Sequence, residues 1–131
     1  MTKKRISSPQ DFFRLLAQNN ERLKELAAIN KATAIIKEGQ SIESTLRQIC
    51  LIMPDAWQFP SYTVSRVRYG NLEYTSPGFT ETPWCQKFEF QVIDGETGSL
   101  EVFYTWEFPE EYEGPFLKEE RDLLNNLSSL I

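Results

Sequence analysis

Apolar residues recur at Phe12, Leu16, Leu23, Leu26, Ile29 and Ile36, separated by threes, fours and sevens, the period of a helix. Ser8 suits the N-cap, Pro9 the first helical position and Asp11 the positive end of the dipole, while Gly39 suits the C-terminal cap. The pattern predicts one helix over Pro9 to Glu38, about 45 Å long at 1.5 Å per residue. A single small domain covers only part of such a rod, so its N-terminal half is expected to project, to pair with another chain, or to fray. Ser41 then opens a second helix carrying Ile42, Leu46, Ile49, Cys50 and Met53 at helical spacing, closed by Pro54. Cys50 lies within that stripe and reads as a small buried hydrophobe.

From Tyr62 the period drops to two. Tyr62 to Tyr69 and Leu72 to Ser76 read as a hairpin about Gly70-Asn71. After a Pro-, Gly- and Thr-rich stretch, Pro77 to Pro83, alternation resumes over Trp84 to Ile93. Trp84, Gln86, Phe88, Phe90 and Val92 share one face; Cys85, Lys87, Glu89, Gln91 and Ile93 share the other. In Ser99 to Trp106, Leu100, Val102 and Tyr104 point inward and Glu101, Phe103 and Thr105 outward. Phe88, Phe90, Val102 and Tyr104 are expected to be buried. An acidic loop from Glu107 to Gly114 precedes a last helix from about Phe116, with the stripe Leu117, Leu123, Leu124, Leu127 and Leu130. The expected fold is α+β: a four-stranded, or five-stranded, antiparallel sheet arranged as a meander, with the N- and C-terminal helices on one face. The last stripe is still in phase at Ile131, which suggests a helical connection to something downstream.

The length of 131 residues is that of one domain with enough core to need no metal or disulfide staple. Histidine is absent, which removes imidazole metal ligands, Ser-His and Cys-His nucleophiles and a histidine phosphoacceptor from this chain. Residues 1–50 carry nine Lys/Arg against five Asp/Glu, and residues 51–131 carry five against fourteen. An acidic body repels phosphate backbones, so no nucleic acid is expected as partner. Lys3-Lys4-Arg5 reads as a solvated tail. Cys50 and Cys85, without Cys-x-x-Cys spacing, read as reduced thiols of a cytoplasmic protein; no apolar run is long enough for a membrane span or a signal h-region.

Little else carries chemistry. Gly95 to Gly98 leads into a strand and not a helix, so it is a hairpin loop and not a phosphate cradle. Glu110, Glu111 and Glu113 lack the ligand spacing of a calcium loop. Every Asp and Glu falls on a polar stripe or a loop. Arg66 and Arg68 share the outer sheet face with Glu89 and Glu101, as cross-strand ion pairs or as a contact for an anion or a partner. Trp57, Phe59, Phe79 and Trp84 lie where loops meet the sheet, as packing or as the lining of a small pocket. No cofactor is expected.

The order helix, helix, antiparallel sheet, helix resembles the GAF domains of bacterial signalling proteins, which belong with PAS domains among small sensor modules. Three stretches are similar to the GAF-like modules found ahead of PAS and histidine-kinase domains: Glu21 to Asn30, Ile49 to Arg68 around Pro54-Asp55-Ala56-Trp57, and Phe116 to Leu124. The hairpin turn before Gly98 and the strand Leu100 to Tyr104 are similar too. Residues 1–20 would then be a tail and the start of the projecting helix, and residues 21–131 the GAF-like domain. The resemblance implies a two-component or other signal-transduction role, with a downstream kinase or other output domain as partner. Ligand-binding members close their pocket with helices and loops between the middle strands, and here only Pro77 to Pro83 is available. The cyclic-nucleotide set Asn-Lys…Phe…Asp-Glu is missing, and Cys85 is followed by Gln86, not by the histidine of a bilin site.

The leading expectation is a non-catalytic regulatory module. The alternatives are a freestanding adaptor using the exposed sheet face and a small carboxylate-dependent enzyme. Leu16 and Leu23 are seven apart with Phe12 and Leu26 flanking, which suits a two-chain seam whose register Asn19 and Asn30 would set. The expected oligomer is a parallel homodimer centred on Leu16, Leu23, Leu26 and Leu127, unless these leucines pack on their own domain.

Overall fold

A computed structural model describes residues 9–91 and 95–130. Ser8, Val92, Ile93, Ile131 and the Lys3 to Arg5 cluster lie outside the described residues. Helix α1 runs Pro9–Lys37 and ends where Gly39, at φ 68°, takes the left-handed conformation that side chains resist. Helix α2 runs Ile42–Ile52, and its N-cap Ser41 accepts from the Ser44 amide at 3.2 Å. A 3-10 turn, Met53–Ala56, takes over where Pro54 stops the α-helix, and a second, Pro60–Tyr62, leads into strand β1, Thr63–Tyr69. Strands β2, Leu72–Thr75, β3, Cys85–Gln91, and β4, Thr97–Tyr104, follow, then helix α3, Lys118–Leu130.

The architecture is α+β with a four-stranded antiparallel sheet, but the expected meander is wrong. The strand order is β2-β1-β4-β3, so the first and last strands pair at the centre. Strands β2 and β3 occupy opposite edges, and residues 76–84 must carry the chain from one edge to the other. They do so across the outer face. Thr82 Oγ1 donates to the Tyr104 carbonyl at 2.7 Å, and Phe79 meets Phe103 edge-on with centroids 5.4 Å apart. The alternation is as expected, yet the centre of the outer face is not open to solvent: Val64, Arg66, Ser99, Glu101 and Phe103 are buried.

The inner face takes the helices. Ala28 and Ala32 of α1, Leu46, Ile49 and Cys50 of α2, and Leu123, Leu124 and Leu127 of α3 form one core with Val67, Leu100, Val102 and Tyr104. Phe88 and Phe90, expected to be buried, are half-buried because β3 is an edge strand with a neighbour on one side only. Helix α3 starts two residues later than expected, since Phe116 is held in a bridge to Glu113 and stacks on Tyr104 at 4.5 Å. Among the described residues no helix is long and apolar enough to cross a membrane.

Phe90 pairs across the strands with Gly98. A Cβ at residue 98 would lie 2.5 Å from Phe90 Cζ and 2.6 Å from the Arg68 carbonyl oxygen. The backbone oxygen cannot swing away, so Gly98→Ala should cost about 1–3 kcal/mol, the range of an overpacked site, read in urea unfolding. A midpoint unchanged from the parent would show that the β1–β4–β3 register is wrong.

Candidate functional site

Three features separate this domain from a plain core and coat. The first is on the outer sheet face. Arg66 and Glu101 are directly opposed on β1 and β4, which brings their side chains to the same face. Arg66 Nε and Nη2 donate to the two carboxylate oxygens of Glu101, each at 2.9 Å, and Nη2 also reaches Glu81 of the crossing segment at 2.9 Å. Phe79 and Phe103 flank the guanidinium at 5.2 and 5.3 Å. Burial alone would raise the Glu101 pKa, but the Arg66 bonds and charge hold it below the usual carboxylate range. The same bonds raise Arg66.

Of the residues singled out from sequence, Arg66 and Phe79 thus meet, and Arg68 adds a 3.7 Å contact to Glu101. Arg66 spends its donors on its own chain. Trp57 is elsewhere: it is sealed under the inner face, its Nε1 donating to Gln86 Oε1 at 3.1 Å. Trp84 packs half-buried against the core, and its carbonyl accepts from the Tyr104 amide at 2.9 Å. Cys50 is buried beside Ser65 and its thiol is pushed up by desolvation; Cys85, half-buried, is pushed up to about 11 for the same reason.

The second feature is the anchorage of α3, which the sequence reading missed. Glu120 is buried, against the expectation that every carboxylate sits on a polar stripe or loop. Its Oε2 accepts from the Gln58 amide at 2.6 Å and the Tyr104 hydroxyl at 2.9 Å, and its Oε1 from the Leu117 amide at 2.8 Å. The last bond is half a capping box, in which a third-position glutamate reaches back to the start of its helix. Desolvation pushes Glu120 up to about 7, with Glu21 of α1 adding to the rise and the three hydrogen bonds opposing it. Beside it, Arg121 chelates Glu113 and holds that carboxylate low, and Glu113 Oε1 accepts from Gln86 Nε2 at 3.0 Å. A polar chain Trp57–Gln86–Glu113–Arg121 therefore runs from the core to the first turns of α3.

The third feature is the free side of α1. Buried positions Ala28, Ala32 and Ile35 lie in its C-terminal half and on one side. Phe12, Leu16, Asn19, Leu23, Leu26 and Asn30 follow one another at spacings of four, three, four, three and four, a continuous heptad seam. At roughly 100° per residue this seam lies about 180° from the buried stripe. All six positions are exposed, and Leu16, Leu23 and Leu26 are 44%, 57% and 60% exposed. Leu127, expected at the same interface, is not available. It is 1% exposed, because α3 turns its whole leucine stripe into the chain's own core.

Two predictions follow from the buried charges. Arg66→Met should cost about 3–5 kcal/mol in urea unfolding, because it strands the Glu101 carboxylate under Phe103 and the crossing segment. The double replacement Arg66→Met/Glu101→Met should recover most of that loss; equal losses for single and double would mean that the pair is not desolvated. For Glu120, the folded pKa exceeds the unfolded value of 4.5, so the native state binds the extra proton. Stability should therefore decline as pH rises from 4.5 to 7, by up to about 3 kcal/mol, and level off above. Glu101 and Glu113 act in the opposite sense, losing stability only as pH falls below 4.5. Glu120→Gln should remove most of the slope between pH 4.5 and 7 in thermal melts, leaving that of Glu25, which partial burial and the neighbouring Asp122 and Glu119 also raise. A slope unchanged by the substitution would contradict the burial of Glu120.

Compared with known proteins, the chain matches no family model, no curated protein and no solved structure.

Proposed function

We propose that this chain is a non-catalytic regulatory module of GAF-like type in a bacterial signalling protein, that it forms a parallel homodimer along α1, and that its terminal helices pass a conformational bias to an output domain such as a kinase. The observation that carries this reading is the unpartnered heptad seam on α1, opposite the face that the core uses. Parallel pairing sets Asn19 against Asn19 and Asn30 against Asn30 of the second copy, where each amide satisfies the other. Antiparallel pairing about the centre of the seam would instead set Asn19 against Leu23 and Asn30 against Phe12, leaving four buried amides, two from each copy, without partners. The flanking positions Leu15, Asn20, Arg22, Ala27 and Ile29 bring no like charges into opposition. A regulatory role for α3 is supported by its anchorage, since both carboxylates that dock its first turns are buried or half-buried and fully occupied by structural donors.

Light scattering on the intact chain at tens of micromolar tests the proposal. The expected mass is twice 15.3 kDa. Leu16→Lys/Leu23→Lys should give a monomer that still unfolds cooperatively, because neither side chain belongs to the chain's own core, with any loss of stability confined to the part that depends on protein concentration. A monomeric parent would remove the dimer relay.

A further inference from the structure

A different surface lies at the end of the sheet where β1 begins and β4 has ended. Trp106 and Tyr62 stand there with ring centroids 6.4 Å apart and planes tilted by 53°. Trp106 is 63% exposed and Tyr62 48%. The pair is fixed from behind. Thr105 donates its amide to the Tyr62 carbonyl at 2.8 Å, and Phe108 meets Tyr62 edge-on at 5.7 Å while stacking on Phe59 at 3.8 Å. A single exposed aromatic is ordinary, but a rigidly backed Trp–Tyr pair has the composition of an interface hot spot.

The charge beside it is one-signed. Glu107 follows Trp106 directly, Glu110 and Glu111 come within the next turn of chain, and all three are exposed. None of these carboxylates pairs with a cation among the described residues. Glu111 also lines a cavity that includes Arg14 of α1, so Glu107, next to Trp106, is the carboxylate nearest the rings in sequence. An aromatic corner beside such a carboxylate complements one side chain above others. The guanidinium of arginine is planar and weakly hydrated, stacks on aromatic faces and pairs carboxylates through a fork. Nucleic acid and anionic membranes, by contrast, are repelled by the same glutamates.

We propose that the Trp106–Tyr62 corner and the Glu107–Glu111 loop form a docking face for an arginine-bearing segment of another protein. The guanidinium lies against the two rings, and the loop carboxylates hold it there. This face is remote in sequence from the α1 seam and does not require two copies to pair.

The test titrates the intact 131-residue chain with the peptides (Gly-Arg)4 and (Gly-Lys)4, followed by calorimetry and by tryptophan emission. The change in emission on binding reports mainly on Trp106, since Trp57 is buried and Trp84 half-buried. The arginine peptide should bind about five-fold tighter than the lysine peptide, and Trp106→Ala and Tyr62→Ala should each remove that preference. Glu107→Gln/Glu110→Gln/Glu111→Gln should weaken binding and flatten its salt dependence while leaving the rings in place. No binding at ~1 mM peptide, or equal affinity for both peptides indifferent to Trp106→Ala, overturns the proposal. So does binding that emerges only after Lys3→Gln/Lys4→Gln/Arg5→Gln, because the face would then belong to the chain's own basic segment.

Discussion

Helix α1 is longer than anything it can lie on. Its 29 residues span about 44 Å, while the longest strand, with eight residues, spans about 27 Å. The domain still follows it well past the middle: Lys24 Nζ reaches the Trp57 carbonyl at 3.4 Å, and Arg14, Ala17 and Glu21 line a cavity with Gln58, Glu111 and Leu117. The helix also has two apolar stripes on opposite sides, and the core uses only the one that ends in Ala28, Ala32 and Ile35. Small residues at two of those three sites let α1 approach the other helices closely, which fixes the C-terminal half firmly. Toward its N-terminus the other stripe, Phe12, Leu16, Leu23 and Leu26, faces away from the protein. That uncovered face underlies the proposed dimer.

A second constraint is topological. Because β2 and β3 sit on opposite edges, the segment between them has to cross the outer face, and whatever lies beneath it must be compatible with burial. The sequence meets this with a fork-to-fork ion pair, Arg66 to Glu101, packed between two phenylalanine rings. Such a pair adds little net stability relative to an apolar substitute, but it is intolerant of losing one partner. The crossing segment therefore fills the centre of the outer face, where Val64, Arg66, Glu101 and Phe103 are buried.

Much of this was legible in the residues. Helical spacing located α1 and α2 because their caps, Gly39 and Ser41, are strong local signals, and strict alternation located β3 and β4. What failed were statements that depend on which elements touch. The meander assumed that consecutive strands pair, and nothing in the Pro77 to Pro83 stretch announces a crossing. Glu101 was correctly assigned to the outer face, but its burial depends on that same crossing. Glu120 was more readable than it looked. It lies three residues after Leu117 and four before Leu124, inside the apolar stripe of α3, so its phase already pointed inward. Leu127 belonged to the same stripe, and assigning it to a dimer seam spent one face of a helix twice. The free seam of α1, by contrast, follows from counting: two apolar stripes on one helix cannot both face one core.

The most direct measurement of this account is disulfide capture along α1. In a background with Cys50→Ser and Cys85→Ser, Asn19→Cys should oxidise to a covalent dimer at the parent's rate of association, because parallel pairing sets residue 19 against itself. A mixture of Leu16→Cys and Leu26→Cys chains, which only antiparallel pairing would bring together, should give no mixed dimer. Capture of the mixed dimer, or failure of Asn19→Cys to cross-link at concentrations where the chain is associated, would contradict the parallel seam.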